Sequence, residues 1–342
     1  MKSSKLNWAN DLRAFATLAV ITLHVASSIS MEYPAISKPF FFTSVFFDSA
    51  VRWCVPVFIM LTGSFALEHY DGRLKDFFTK LFYRIILPFL FWSLACLVFF
   101  SWDELNDPNK NLEQLLSFIG KQFLSGTASH LWFVYIIVSL YLIFPFLSKW
   151  TKVAVEKEYI LFFILWVLTL LLGDYLSESD SSFDLTFFSG YIGFLVLGNY
   201  LYKSNRKIST LLLFAFFLIG LFYTIVRTYY ISINANANKE TFMDNLSVNV
   251  CLMAYCVYLI FKSRVDITNP TYRKLIDIIC QHSYGIYLSH LLILNIFLST
   301  GINFYFIHPL LSIPLISICC LGISCLLLIG LKKVPLLKYL VG

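Results

Sequence analysis

The chain has 342 residues, 58% of them hydrophobic and only 13% charged, which excludes a soluble enzyme and specifies an integral membrane protein. The net charge of +6 gathers on one side of the predicted membrane and gives no reason to invoke nucleic acid. About ten apolar segments follow one another, near 9–30, 42–67, 81–102, 130–147, 159–173, 186–202, 210–230, 245–261, 275–298 and 308–330. Backbone groups in hydrocarbon must be satisfied within the segment, and runs this long and continuous do not suit barrel strands. The expected fold is all-α, a polytopic bundle of about ten transmembrane helices in one integral-membrane domain over residues 1–342.

The first helix, from Asn7 to Ser30, has Asn7 and Asn10 as candidate caps and carries Arg13 and His24 into the membrane. Eleven residues at about 100° each bring the two to within roughly 20° of one face, about 16 Å apart along it. Facing lipid, either side chain is costly, so this stripe is expected to look into the protein or a wet cavity. Snorkelling of Arg13 and simple packing of His24 is the plainer reading. Two ionisable groups on one stripe favour a site with two subsites. The segment has no cleavage pattern after it and is expected to remain a span rather than a signal peptide.

The second helix contains Asp48 and Arg52, which at i, i+4 can pair within the helix. Asp48 also matches His24 in depth, so a carboxylate on this helix can orient the imidazole if the two helices touch. After the basic loop 68–80, Arg84 opens the third helix near the membrane face of Arg13, and Pro88 is expected to kink it. In the outer connection 103–129, Leu112, Leu115, Leu116, Ile119 and Phe123 are spaced like a surface amphipathic helix. The fourth helix opens with His130 at the outer edge and with Trp132, which fits an interfacial aromatic belt.

An acidic, Ser-rich connection spans 173–184, and Gly190, Gly193 and Gly198 in the sixth helix suggest close helix packing. Arg227 lies near the outer end of the seventh helix, placed either to grip an acceptor or to snorkel. The ninth helix carries His282 and His290, the latter at a depth like that of His24. The eight cysteines all fall inside apolar segments without paired spacing, so they read as small buried residues, with neither a disulfide nor a metal site expected.

Assigning alternate connections to opposite sides puts 19 of the 26 Lys and Arg on one side. Only Lys38, Lys110, Lys121 and Lys239 fall on the other. This asymmetry places both termini in the cytoplasm.

Arg13, ten residues and then His24 on a first membrane helix resembles the signature of the acyltransferase-3 family of bacterial membrane acyltransferases. Val55-Pro56-Val57-Phe58 with Thr62-Gly63, Arg84 with Pro88, Leu131-Trp132-Phe133 and the run from Ser283 to His290 extend the resemblance along almost the whole chain. It is similar to the stand-alone members, which lack an appended esterase-like domain. The resemblance implies a multi-pass protein of the bacterial inner membrane. It also implies transfer of an acyl group, acetyl by preference, from cytoplasmic acyl-CoA to a hydroxyl of a surface-polysaccharide or lipid-linked sugar. Acetyl-CoA is then a donor substrate, and no bound cofactor is expected.

An imidazole, with an ordinary pKa near about 6.5, can take the hydroxyl proton at neutral pH, so His24 is the expected general base, with Asp48 beside it. An acyl-His24 intermediate is the other route. Arg13 and Arg84 suit the phosphates of CoA through charge-assisted bonds. His130, Trp132, Arg227 and His290 are expected on the acceptor side. The competing function, an exporter of a glycan or lipid-linked sugar, usually comes with repeated halves and interrupted helices in matching positions, and no such repeat is visible. The orientation is directly testable: reporter fusions after Lys157 and Lys207 should read as cytoplasmic, and fusions near Asp107 and Asn238 as external. A reversed pattern would remove Arg13 from the side where CoA is available.

Overall fold

The first helix, α1 (Asn7–Ser30), is enclosed on nearly every side in the computed structural model. The structure describes residues 7–176, 190–263 and 269–342; Lys2, Lys5, Arg264 and most of the acidic connection lie outside them. One face of α1, with Trp8, Leu12, Ala16, Ala19 and Val20, packs into a core with Val57, Met60, Phe194 and Tyr258. The other, with Ile21, Val25 and Ile29, belongs to a second core with Trp92, Leu288, Leu291, Ile313 and Cys320. Alanines along α1 let neighbours approach closely, which is what membrane helices need when lipid already satisfies their apolar surface.

The remaining elements follow in order. The second segment comprises α2 (Lys38–Val51), α3 (Cys54–Thr62) and a π-helical turn (Gly63–Leu67). The third joins α4 (Leu74–Leu81), a second π-helical turn (Phe82–Ile86) and α5 (Leu87–Phe100). Then come α6 (Trp102–Leu105), α7 (Leu112–Ser125), α8 (Trp132–Val153), α9 (Glu156–Leu176) and α10 (Ile192–Lys203). The chain continues with α11 (Thr210–Ala235), α12 (Val248–Ser263), α13 (Pro270–Ser299) and α14 (Pro309–Leu331). Among the described residues, seven helical segments are long and apolar enough to cross a membrane. The other three expected positions are taken by α9, by the 12-residue α10 and by α13, whose first turns carry Arg273, Lys274 and Asp277.

Prolines explain two of the breaks. A proline has no N–H to give the carbonyl four residues back. Pro56 therefore frees the carbonyl of Arg52, where α2 gives way to α3. Pro88 frees that of Arg84, inside the second π-helical turn, so the expected kink takes the form of a widened turn. Tyr284 Oη donates to the neighbouring carbonyl of Ile85 at 2.9 Å.

The amphipathic outer segment is α7, held at its start by a capping box between Asn111 and Gln114 and tied to α8 by a hydrogen bond from Tyr135 Oη to Phe123 O. At the opposite, charge-rich end, Lys152 donates to Tyr70 O at 2.5 Å and Lys203 to Thr151 O at 2.9 Å. Lys262 reaches the carbonyls of Leu201, Tyr202 and Ser204 at 2.5, 3.1 and 2.7 Å. Basic side chains here finish helix C-termini, where the dipole and the orphan carbonyls favour them.

The glycine expectation holds at two of its positions through direct contact. A Cβ on Gly198 would lie 1.9 Å from Met60 O, and one on Gly193 would lie 1.9 Å from the Trp166 ring. Gly63 makes the reciprocal approach, its missing Cβ leaving room for Leu195 O. Beside this contact Ser64 Oγ lies 2.7 Å from both Met60 O and the Tyr258 hydroxyl. Gly198→Ala must separate two backbones and should destabilise the protein by about 1–3 kcal/mol, read as an earlier unfolding transition in detergent. Gly322, beside which an added Cβ meets nothing within 4 Å, should tolerate the same change.

Candidate active site

Three elements bring three histidines together. His24 projects from α1, His130 stands just before α8, and His290 lies on α13. The His24 ring centroid is 5.1 Å from that of His290 and 6.2 Å from that of His130, and the latter two are 4.9 Å apart. His130 and His290 are fully buried, whereas His24 keeps part of its surface. The sequence placed His130 at an outer edge, but the fold carries it inward against α13, where Nε2 lies 3.4 Å from Leu288 O. His290 Nδ1 lies 2.6 Å from Tyr287 O and 3.2 Å from Ile286 O. Neither His130 Nδ1 nor His290 Nε2 has a hydrogen-bond partner.

A row of tyrosines leads from this cluster toward the charge-rich end. The Tyr287 ring is 5.4 Å from His130 and 6.0 Å from His290, its hydroxyl donates to His130 O, and it stacks at 6.4 Å on Tyr284. Tyr141 lies within electrostatic reach of Tyr284, Arg13 and Arg84. The two arginines expected to hold phosphates therefore share one neighbourhood. Arg84 is exposed there, and Arg13 has Nη1 3.7 Å from Cys280 Sγ, a weak acceptor that leaves the guanidinium available. Asp11, two residues before Arg13 on α1, pairs with Arg273 at 2.5 Å.

Asp48 does not take the role of orienting His24. Both its oxygens are held by Arg52, from Nε at 2.7 Å and Nη2 at 2.6 Å, and Arg52 reaches on to Glu240 at 3.1 Å. A bidentate partner one helical turn away wins because it satisfies both oxygens with little loss of side-chain freedom. Trp132 also lies away from the cluster: it is 37% exposed, its ring near Phe133 and Tyr191, as an interfacial aromatic would be. Arg227 is exposed, with its guanidinium 4.8 Å over the Phe242 ring, and does not join the histidines.

Sequence reasoning missed Tyr141 and the tyrosines of α13. The second omission was avoidable, because Tyr284, Tyr287 and His290 recur at three-residue steps and so occupy successive turns of adjoining faces. The partnership of Arg52 with Glu240 joins residues 188 apart in sequence, and local spacing carries no trace of it.

The Asp48–Arg52 assignment predicts a stability effect. Asp48→Ala removes the bidentate partner of a buried guanidinium and leaves it only the part-exposed Glu240, and should cost about 3 kcal/mol. Glu240, with a side chain 32% exposed, should cost about 0–1 kcal/mol on truncation. Unfolding curves in detergent measure both; an Asp48→Ala protein of normal stability would return the carboxylate to a role at His24.

A protein-family model described as an acyltransferase domain, that of the acyltransferase-3 family, matches residues 6–329. No curated protein and no solved structure matches the chain.

Proposed function

This chain belongs to the acyltransferase-3 family, and on that premise we propose that it is a membrane-bound O-acyltransferase carrying acetyl from cytoplasmic acetyl-CoA to a sugar hydroxyl. The acceptor class is a surface polysaccharide or a lipid-linked precursor in the bacterial inner membrane. The family member that the proposal takes as its likeness is the enterobacterial common antigen O-acetyltransferase. One observation carries the reading: a partly accessible His24 is joined by the row Tyr287, Tyr284 and Tyr141 to a neighbourhood holding Arg13 and Arg84.

The chemistry follows from the two ends. The arginines suit the phosphates of CoA, Arg13 and Arg84 offering planar donors where a lysine offers a point charge. About 16 Å separates Arg13 from His24 along α1, a length comparable to an extended pantetheine arm, so the thioester reaches the imidazole while the phosphates stay at the charge-rich end. The tyrosine row supplies an amphipathic wall for that arm. At the far end, His24 takes the proton of the acceptor hydroxyl or receives the acyl group itself. His130 and His290 surround that step.

Purified protein in liposomes, given labelled acetyl-CoA and a lipid extract of its own cells, tests the reading. His24→Ala should abolish transfer while leaving donor binding and the unfolding transition nearly unchanged. Arg13→Ala should weaken acyl-CoA binding by about 1.5–3 kcal/mol, and Arg13→Lys should recover only part of that loss. Wild-type turnover in folded His24→Ala would sink the assignment. Unchanged CoA affinity in Arg13→Ala would send the donor to another entrance.

A further inference from the structure

We propose that His290 is the positioning residue for His24, accepting the N–H of the His24 ring on its own bare nitrogen and so turning the other His24 nitrogen, unprotonated, toward the substrate. The inference rests on the acyl-transfer reading above and goes further by assigning the group that sets the tautomer of the reacting imidazole.

The argument starts from hydrogen-bond chemistry. A carbonyl oxygen only accepts, so His290 Nδ1, facing Tyr287 O at 2.6 Å and Ile286 O at 3.2 Å, carries the ring hydrogen. In a neutral imidazole the other nitrogen is then a lone-pair acceptor. That atom, Nε2, is buried and has no partner. Buried acceptors are nearly always paired, and one left alone at a cluster of functional groups calls for a reason. Two imidazoles stand near it, His130 at 4.9 Å and His24 on α1 at 5.1 Å between ring centres. His130 turns Nε2 to the carbonyl of Leu288, so its hydrogen sits there and its Nδ1 has none to donate, which leaves His24 as the donor.

Alternatives for the same task are already engaged or farther away. A reacting base is commonly oriented by a third group that holds its second nitrogen. A carboxylate is the usual choice, yet Asp48 is held on both oxygens by Arg52. His130 also presents an unpartnered nitrogen, Nδ1, but its ring stands 6.2 Å from His24 and its Nε2 contact with Leu288 O is long, at 3.4 Å. His290 is closer and more firmly fixed, and α13 packs directly along α1. Such contacts are often loose in a substrate-free site and tighten when substrate arrives.

Two substitutions separate this role from simple packing. In His290→Asn the side-chain amide can replace Nδ1–H toward the carbonyls, but nothing stands where Nε2 was. In His290→Gln the amide oxygen falls near the Nε2 position and accepts, while the Nδ1-like donor is lost. A positioning role predicts that Asn lowers kcat by about 10²–10⁴-fold with KM for acetyl-CoA unchanged, and that Gln recovers at least tenfold of it. A packing role predicts the reverse order, with Asn near wild type and Gln impaired in step with its unfolding transition. Transfer of labelled acetyl to the lipid extract of the protein's own cells is the readout. Asn equal to or better than Gln overturns the assignment of His290. A wild-type protein that transfers nothing overturns the acyl-transfer reading itself, a result distinguishable from the first because it appears before any substitution.

Discussion

An ionisable group in hydrocarbon must be enclosed or partnered, and the architecture follows from applying that constraint to α1. A helix bearing Arg13 and His24 cannot face lipid along their stripe. It takes the centre, with one core on each side and its alanines buried in both. The lipid-facing work falls to peripheral helices, where Leu211 on α11 and Leu326 on α14 are each more than two thirds exposed. Gly63 and Gly198 then allow α3 and α10 to draw together beside α1, backbone against backbone.

The same constraint separates paired charges from under-committed ones. Asp48, Arg52 and Glu240 satisfy one another, and Asp11 pairs with Arg273 through Nη2, although Nε and Nη1 of that guanidinium have no hydrogen-bond partner. Such groups hold α2 to the loop after α11 and α1 to α13, and their pairing leaves little capacity for a substrate. Among the described residues, Arg13, Arg84, His24 and the unpaired nitrogens of His130 and His290 are under-committed groups of another kind, set on two ends of one tyrosine row. Their common location is what distinguishes a site from a set of satisfied ion pairs.

The fold class, the central importance of α1 and the positions of most helices were legible from apolar run length and from one arginine and one histidine eleven residues apart. The amphipathic α7 was legible too, because its five apolar positions repeat at helical spacing. The site was only half legible. Depth along a helix is readable from residue number, and it correctly put His290 level with His24. It misled for Asp48, since equal depth does not say which way a side chain turns, and a partner within its own helix was available. His130 was misjudged for a related reason: it precedes its helix, and only the packing of α8 against α13 decides whether such a residue meets water or the core. Trp132, two residues later, stays at the rim.

Proline spacing links the fold to the chemistry at a finer level. Arg52, Arg84 and Tyr141 each stand four residues before a proline, Pro56, Pro88 and Pro145. In each case the residue bearing a polar or charged side chain also has its carbonyl released from the helix ladder. A released carbonyl in hydrocarbon must be met by another donor or by a local change of winding. At Arg84 the winding changes to a π-helical turn, and Tyr284 supplies a donor to the adjacent carbonyl of Ile85. The widened turn thus fixes Tyr284 beside Arg84, and Tyr284 in turn stacks on Tyr287, whose hydroxyl bonds to the backbone of His130. Backbone irregularity at one end of the bundle and imidazole placement at its middle are therefore joined through two tyrosines, so the row that stands between arginines and histidines also ties the two ends together.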